Sequence, residues 1–167
     1  MFSSRPLGPE DSPLVLQWRN SPEVAAFMFN DDPIDEDEHA AWFDEVREDR
    51  PESRARLFTV NDAPTGFFSL TQISDRHKSC VWGGYLSPEA PRGQRLGSAM
   101  MSVSLAMAFD EIGLHRVTVE VIESNSRAMG LYERAGFQRE GMLRDRARQA
   151  RGYVNVIVLG LLRDDWR

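Results

Sequence analysis

This sequence has one cysteine and no long apolar run. Its single cysteine, Cys80, leaves no partner for an internal disulfide and no thiolate cluster for a metal ion. No apolar run approaches the length of a membrane span, and the opening stretch MFSSRPLGPED has no apolar core of the kind found in signal peptides. We therefore expect a cytoplasmic protein with no membrane partner.

Basic residues are too few for general nucleic-acid binding. Lys and Arg number 20 against 26 Asp and Glu, so the formal net charge is -6. Nucleic-acid surfaces depend on an excess of Lys and Arg that displaces phosphate counterions. We expect no nucleic-acid partner, whereas a cationic amine would suit this balance. No set of His, Cys, Asp and Glu has metal-ligand spacing, so we expect no metal site.

The length of 167 residues suits one domain with its own apolar core, which we place over residues 1–167. Stretches with helical periodicity alternate with stretches rich in β-branched residues. Helices packed on a mixed sheet are therefore expected, and the fold class is α/β. Helices are predicted over residues 11–20, 35–49, 96–112 and 125–137, and strands over 56–60, 65–73, 79–88, 115–122 and 153–161.

The densest run of charge is NDDPIDEDEH, residues 30–39. Asp35 followed three residues later by Glu38 is a helix-capping pattern, and acids stabilise a helix N-terminus by about 0.3–1 kcal/mol each. The capping interpretation is favoured, and a patch that attracts polyamines is the functional alternative. The predicted apolar face of this helix consists of Ala40, Phe43 and Val46.

The stretch APRGQRLGSAM, residues 90–100, joins a predicted strand to the longest predicted helix. The first turn of a helix has unpaired N–H groups and about half a positive charge, which together favour an anion. Gly93 and Gly97 would let the backbone approach a diphosphate closely, and Arg92 and Arg95 would add charge-assisted hydrogen bonds. Taken alone, the stretch also fits a surface loop that simply begins a helix.

A second pattern, NSRAMGLYERAGF, follows that helix and the next strand. Together with R-x-x-R-x-G-S-A from Arg92, it resembles the GNAT superfamily of acetyl-CoA-dependent N-acetyltransferases, over almost the whole chain. The usual loop has Gln or Arg, two residues, Gly, one residue, then Gly or Ala, and here Arg95 stands at the middle glycine. The second family motif, N-x-x-A-x-x-L-Y-E-x-x-G-F, is matched at Asn125, Ala128, Leu131, Tyr132, Glu133, Gly136 and Phe137.

The resemblance implies a GNAT fold, whose central sheet is mixed, mostly antiparallel, splayed at the acetyl-CoA slot and flanked by helices on both faces. The pantetheine arm would pair with an exposed strand edge, while loop amides hold the diphosphate. The loop keeps this geometry if Arg95 has a negative φ. The residues implied for acetyl-CoA binding are Tyr85, Leu86, Ser87, Arg92, Gly93, Gln94, Arg95, Leu96, Gly97, Ser98, Ala99, Asn125 and Ala128.

The chemistry requires a neutral amine that attacks the thioester, and a thiolate that leaves. By resemblance, Tyr132 is the acid that protonates the thiolate; without the motif, a packed helix tyrosine would be the simpler interpretation. Glu120 and His39 are the candidate bases, and neither is singled out. A route through an acyl-cysteine, with Cys80 activated by His77, is disfavoured because their odd spacing on one strand would point the side chains to opposite faces.

Signals for the acceptor lie in the N-terminal third. LVLQWRNSPEVAAFMFN and PIDEDEHAAWF resemble the branch of the superfamily that acetylates the 4-amino group of a UDP-linked amino sugar on the route to pseudaminic acid. Arg19 would grip the diphosphate, although a cation at a helix C-terminus is an equally good explanation. His39 would bond a phosphate or a sugar hydroxyl. The implied acceptor pocket consists of Arg19, His39, Thr71 and Tyr85.

Other acceptors stay open. An amino-sugar nucleotide is favoured, followed by a protein N-terminus or another small amine, and then a polyamine. A non-catalytic acetyl-CoA-binding module is the alternative of another class, although such a module would not need Tyr132. The strand at 153–161 could pair across a dimer or lie within one subunit, so a monomer or a homodimer is expected. The ribosomal-protein and spermidine acetyltransferases share the pattern seen at Glu140, Gly141, Leu143, Arg144, Gly152 and Tyr153.

Overall fold

The computed structural model describes residues 1–91 and 93–166. The strands are β1 Phe2–Pro6, β2 Arg54–Val60, β3 Ala63–Ser74, β4 Ser79–Leu86, β5 Arg116–Ile122, β6 Gln138–Gln149 and β7 Gly152–Leu162. The helices are α1 Ser12–Arg19, α2 Pro22–Ala25, α3 Glu36–Val46, α4 Leu96–Ala106 and α5 Ser126–Arg134. The strands form one sheet in the order β1-β2-β3-β4-β5-β7-β6, with β4 and β5 parallel and the other neighbours antiparallel. The predicted mixed, mostly antiparallel α/β fold is confirmed.

Strands β2 and β3 form a hairpin, with its turn at the sequence NDAP. Asn61 and Asp62 have φ angles of 49° and 67°. Asn and Asp tolerate this left-handed region better than other residues with a Cβ, and tight hairpin turns require it. On its other edge, β3 pairs with β4, where Phe67 lies opposite Tyr85.

The acidic run caps α3. The Asp35 carboxylate accepts a hydrogen bond of 2.8 Å from the Glu38 backbone N–H, so the capping interpretation is confirmed. The predicted apolar face is wrong in one position, because Ala40 is exposed while His39 and Phe43 are buried. Residues four apart lie on one helical face, and here that face includes a histidine.

Helices α4 and α5 each begin within one of the two motif stretches identified in the sequence. α4 is followed by a π-helical turn over Met107–Glu111, so its α-helical part ends earlier than predicted. α5 is capped by Asn125, whose side-chain oxygen accepts a 3.1 Å hydrogen bond from Ala128 N–H. It is followed by Gly136 at φ 97°, as expected for a glycine stop. In the described part of the chain, no helix is long and apolar enough to cross a membrane.

Strands β1 and β6 and the short helix α2 were not predicted. β6 carries no alternating apolar pattern, because its residues 138–146 are all exposed. It belongs to the sheet through its pairing with β7, which also pairs with β5. The strand predicted over 153–161 therefore lies within one subunit, which decides between the two arrangements considered for it.

Helices pack on both faces of the sheet. Consecutive residues of a strand point to opposite faces, and Phe67 and Phe68 accordingly belong to two separate apolar clusters. The cluster around Phe68 includes residues of α4 and α5, and the cluster around Phe67 includes Trp18 of α1 and Phe43 of α3. The predicted arrangement of helices is confirmed.

Candidate active site

The sheet forks between β4 and β5. The last parallel pair is Trp82 with Val119, after which β4 runs on to Leu86 and β5 to Ile122 without pairing to each other. The backbone of residues 83–86 therefore has no strand partner on this edge. An extended ligand arm can bond to such an edge, and the predicted splay is confirmed.

A cavity of about 1340 Å³ occupies the fork and reaches α1 and α3. Typical small-molecule pockets measure about 300–1000 Å³, so this cavity has room for two ligands that meet inside it. The fork end is lined by most of the residues implied for acetyl-CoA binding. These are Tyr85, Leu86, Ser87, Gly93, Arg95, Leu96, Gly97, Ser98, Asn125 and Ala128.

Two of the described residues implied for acetyl-CoA binding do not belong to this lining. Gln94 is exposed and lies outside the cavity, and Ala99 packs against the apolar core. Their positions differ because the loop turns into α4 here, so successive residues point in different directions. Arg92 lies outside the described residues.

The altered loop residue has a left-handed backbone conformation, which glycine adopts more readily than other residues. Arg95 has φ 53° and ψ 26°, so the negative φ required in the sequence argument is not found. A residue with a Cβ costs about 1–2 kcal/mol in this left-handed region, yet the loop still leads directly into α4. Arg95 is exposed and lines the cavity, so it brings a cation to the place where the amides of the first turn of α4 are unpaired.

Gly97 keeps the start of α4 open. A Cβ added there would lie 3.4 Å from Leu131 Cδ2 of α5, which is ordinary van der Waals contact. The two helices therefore approach each other beside the loop, and a larger side chain at position 97 would occupy the space between them.

Tyr132 lies in α5 with its ring buried against two aromatic side chains. Its ring centroid is 5.9 Å from that of Trp82 and 5.7 Å from that of Phe137. The residue lines the cavity although it is 7% exposed. Burial raises the pKa of the Tyr132 hydroxyl, so the phenol stays protonated at neutral pH and is available as a donor.

Arg19 supplies a buried cation at the other end of the cavity. It is 8% exposed, and its Nη2 donates a hydrogen bond to the Asn30 carbonyl. Its Nη1 is buried with no hydrogen-bond partner in the part of the chain that the structure describes. Burial lowers the pKa of the guanidinium, while nearby Asp31 and Glu38 raise it. Arginine nevertheless stays protonated in proteins, so a residue of the cavity lining has a buried, charged donor without a hydrogen-bond partner among the described residues.

The two candidate bases lie in different parts of the cavity lining. His39 is buried, and its Nε2 lies 3.0 Å from the Ser12 carbonyl, so this nitrogen carries the proton and donates. Burial lowers the pKa of His39, which favours a neutral ring with Nδ1 as acceptor. Glu120 is half-buried on β5, one residue beyond the last β4–β5 pair. Glu120 therefore lies at the fork of the sheet, whereas His39 lies on α3.

The end of the cavity near Arg19 and His39, the predicted acceptor end, also has an aromatic wall. Phe27 and Trp42 are 44% and 40% exposed, and both line the cavity. Trp42 contacts Phe67, with centroids 5.8 Å apart. Large apolar side chains left exposed beside a cavity are typical of a ligand surface, and periodicity alone does not separate them from core residues.

Two predicted side chains lie elsewhere. Thr71 does not line the cavity, and its hydroxyl lies 3.4 Å from the Val81 carbonyl. Ser69, on the same face of β3 but two residues nearer to the fork, lines it instead.

Cys80 is buried in the core, and burial raises its pKa to about 12, while His77 is exposed in a turn. The disfavoured acyl-cysteine route therefore has no support. Among residues 1–91 and 93–166, no group of three or more His, Cys, Asp or Glu side chains is placed to hold a metal ion.

The fork, the loop and the capped helix correspond to a known family. A family model described as an acetyltransferase (GNAT) domain matches residues 4–138, and the chain belongs to this family. It is an acetyl-CoA-dependent N-acetyltransferase. The non-catalytic alternative is thereby set aside.

Two kinds of acetyltransferase match this chain about equally well. Acetyltransferase PseH of Campylobacter jejuni is 24% identical over 131 residues, which cover 78% of this chain and 79% of the relative. Spermidine N(1)-acetyltransferase of Vibrio cholerae is 26% identical over 136 residues, covering 80% and 76%. The structure of spermidine N-acetyltransferase from Vibrio cholerae in complex with CoA and spermine matches with a TM-score of 0.89 at 22% identity, covering 98% of this chain and 96% of that one. This likeness shows the shared fold.

Proposed function

We propose that the enzyme acetylates the primary amine of an acceptor that also carries a negative charge, and specifically the 4-amino group of a UDP-linked amino sugar. The observation that carries this proposal is the buried Nη1 of Arg19, a residue of the cavity lining, which has no hydrogen-bond partner in the described part of the chain. A buried charged donor without a partner is unfavourable, and a phosphate or carboxylate oxygen would satisfy it.

The rest of the acceptor end supports the same choice. The exposed faces of Phe27 and Trp42 offer a surface for a planar ring such as a nucleobase. His39 in its neutral form offers Nδ1 to a hydroxyl donor, because its Nε2 is occupied by the Ser12 carbonyl. Ser69 and Tyr85 line the same region and add hydroxyl groups for a sugar.

The transfer then proceeds by direct attack. The amine loses its proton to Glu120, directly or through water, and its lone pair forms the new bond to the thioester carbonyl carbon. The carbon–sulfur bond breaks as the tetrahedral intermediate collapses, and the electron pair goes to sulfur. Tyr132 donates its hydroxyl proton toward the developing thiolate, which leaves as coenzyme A. Solvent returns a proton to the phenol.

A polyamine is the second candidate acceptor, and one observation favours it. Glu23 and Glu38 line the acceptor end of the cavity and are exposed, so ammonium groups would find carboxylates there. Arg19 opposes this candidate, because a polycation would place positive charge near its guanidinium. An anionic acceptor is repelled by Glu23 and Glu38, but these carboxylates are exposed and screened by solvent, whereas the guanidinium is buried.

The test is coenzyme A release from acetyl-CoA with a panel of three acceptors. The panel contains a UDP-4-amino-4,6-dideoxy sugar, spermidine and a peptide with a free N-terminus, each with a no-acceptor blank. We expect turnover that is selective for the sugar nucleotide. Selective turnover of spermidine or of the peptide would overturn the proposed acceptor and leave the enzyme class unchanged.

A further inference from the structure

The hairpin between β6 and β7 touches the wall of the acceptor end from outside the cavity. The wall segment, residues 26–31, follows α2 and is named here the acceptor loop. Phe27, Met28, Phe29 and Asn30 of this loop line the cavity. Although the hairpin is more than a hundred residues away in sequence, it contacts the loop through several groups.

Gln149, the last residue of β6, provides the central contact. Its Nε2 donates to the Ala26 carbonyl at 3.2 Å and to the Met28 carbonyl at 2.6 Å. Its Oε1 accepts from Arg151 Nε at 3.0 Å. The side-chain amide thus uses both of its N–H groups and its oxygen, and the reverse orientation would set oxygen against two carbonyls. Gln149 is 5% exposed, so water offers its amide little alternative.

Two further contacts fasten the same loop. The Ala150 backbone N–H donates to the Asp31 carboxylate at 3.0 Å and 3.2 Å. The guanidinium carbon of Arg146 lies 5.7 Å from the ring centroid of Phe29, a cation–π distance. The contacts cover the acceptor loop from Ala26 to Asp31.

The hairpin is also joined to the coenzyme end. Arg151 Nη2 donates to Ser124 Oγ at 2.8 Å, and Ser124 directly precedes Asn125, the cap of α5. A continuous chain of hydrogen bonds therefore runs from the coenzyme side through Arg151 and Gln149 to the acceptor loop. A segment held at both ends of the cavity can fix the distance between the two substrates.

We infer that Gln149 is a positioning residue that sets acceptor affinity by holding the acceptor loop against the β6–β7 hairpin. This inference rests on the proposed function for the identity of the loop as the acceptor wall. It does not depend on which amine is acetylated. Gln149 itself does not line the cavity, so it acts through the loop and is not a catalytic residue.

The variants separate this role from a general structural one. Gln149→Glu places a carboxylate against two carbonyls and removes both donors, and Gln149→Ala removes the amide without adding charge. Gln138→Glu, at the exposed start of the same strand, is the matched control. Asp31→Ala removes the carboxylate that accepts from the Ala150 N–H. Asp32→Ala, at the exposed neighbouring position, is its control for charge.

The first measurement is hydrogen–deuterium exchange of the intact protein in the presence of saturating coenzyme A. We expect exchange in residues 26–31 to rise about tenfold in Gln149→Glu, as the loss of buried hydrogen bonds predicts, and to rise also in Asp31→Ala. Residues 116–122 of β5 and both controls should be unchanged. Unchanged exchange in the acceptor loop, or an equal rise in β5, would overturn the inference. This readout needs no acceptor, so it stays valid if the proposed acceptor is wrong.

The second measurement separates KM from kcat, with the UDP-4-amino sugar as the probe, or spermidine if only spermidine is turned over. For Gln149→Glu and Gln149→Ala we expect the acceptor KM to rise about tenfold. The kcat should stay within about threefold and the KM for acetyl-CoA within about twofold. Equal losses toward both substrates, or an unchanged acceptor KM with a loosened loop, would contradict the positioning role.

Discussion

The indole of Trp82 stands nearly perpendicular to the phenol of Tyr132, with ring centroids 5.9 Å apart and ring planes inclined by 77°. Trp82 Nε1 donates to Ser104 Oγ at 2.8 Å, and Ser104 is fully buried. Trp82 is also the last β4 residue paired with β5. The phenol of Tyr132 therefore packs against the same residue that marks the point where the sheet forks.

Tyr132→Phe removes the hydroxyl while keeping the aromatic contacts. We expect kcat to fall by about 10²–10⁴-fold, the range for loss of a general acid, with the KM for acetyl-CoA within about threefold. The thermal midpoint should change little because the ring still packs against Trp82 and Phe137. Steady-state kinetics and a thermal melt measure both, with the exposed Tyr153→Phe as the matched control. An unaltered kcat would mean that Tyr132 is not the acid that protonates the leaving thiolate.

The sequence allowed the fold and the coenzyme end to be predicted where local patterns determine structure. Asn125 and Gly136 mark the ends of α5 through capping and positive φ, which are properties of adjacent residues. Strand β6 could not be predicted, because its exposed residues show no periodicity and it exists through pairing with β7. Gln149 was missed for a related reason, since its partners lie far away in sequence.

The acceptor end was predicted in part. Arg19 and His39 line the cavity as expected, because α1 and α3 present them on their buried faces. Thr71 lies beyond the cavity, and Ser69 takes its place. The two residues share a face of β3, so the pattern fixed the face of the strand but not the depth at which the cavity ends. That depth depends on tertiary packing of α3 against the sheet.

Arg95→Gly should change stability and coenzyme affinity in opposite directions. Glycine adopts φ 53° without the steric cost of a Cβ, so we expect a gain in unfolding free energy of up to about 1 kcal/mol. Loss of the cation beside the diphosphate loop should raise the KM for acetyl-CoA by about threefold to tenfold. Urea unfolding and steady-state kinetics measure the two effects.

Two control variants separate backbone from charge at this loop. Arg95→Lys keeps the charge and the Cβ, so its stability should equal that of the wild type. Gln94→Gly introduces glycine at a neighbouring exposed position that has no positive φ, and it should bring no gain. A fall in stability for Arg95→Gly would contradict the left-handed strain.

Arg19→Ala tests the charge preference of the acceptor end. Removal of a charge-assisted hydrogen bond costs about 1.5–3 kcal/mol, so the KM for the UDP-4-amino sugar should rise by about 10–100-fold. The KM for spermidine should stay the same or fall, because a repulsive cation is gone. Arg19→Lys keeps the charge but not the planar pair of donors, and its KM should lie between those of the wild type and Arg19→Ala. Equal effects on both acceptors would mean that Arg19 acts through the Asn30 carbonyl and the loop alone.

His39 predicts a loss of stability under mildly acidic conditions. Burial lowers its pKa in the folded state, while the unfolded chain has the ordinary value of about 6.5. The unfolded state therefore binds more protons once the pH falls below about 6.5, and stability decreases from there toward the lowered pKa, by at most about 1.4 kcal/mol per pH unit. Carboxylates with lowered pKa values, such as Asp11 and Asp49, lose their contribution to folding stability only at lower pH, so their pH range is separate from that of His39.

Urea unfolding of the wild type and of His39→Gln at pH 7.5, 6.5 and 5.5 measures the effect. The variant should show a flatter dependence over this range, and an equal slope in both proteins would mean that His39 has the same pKa in the folded and unfolded states.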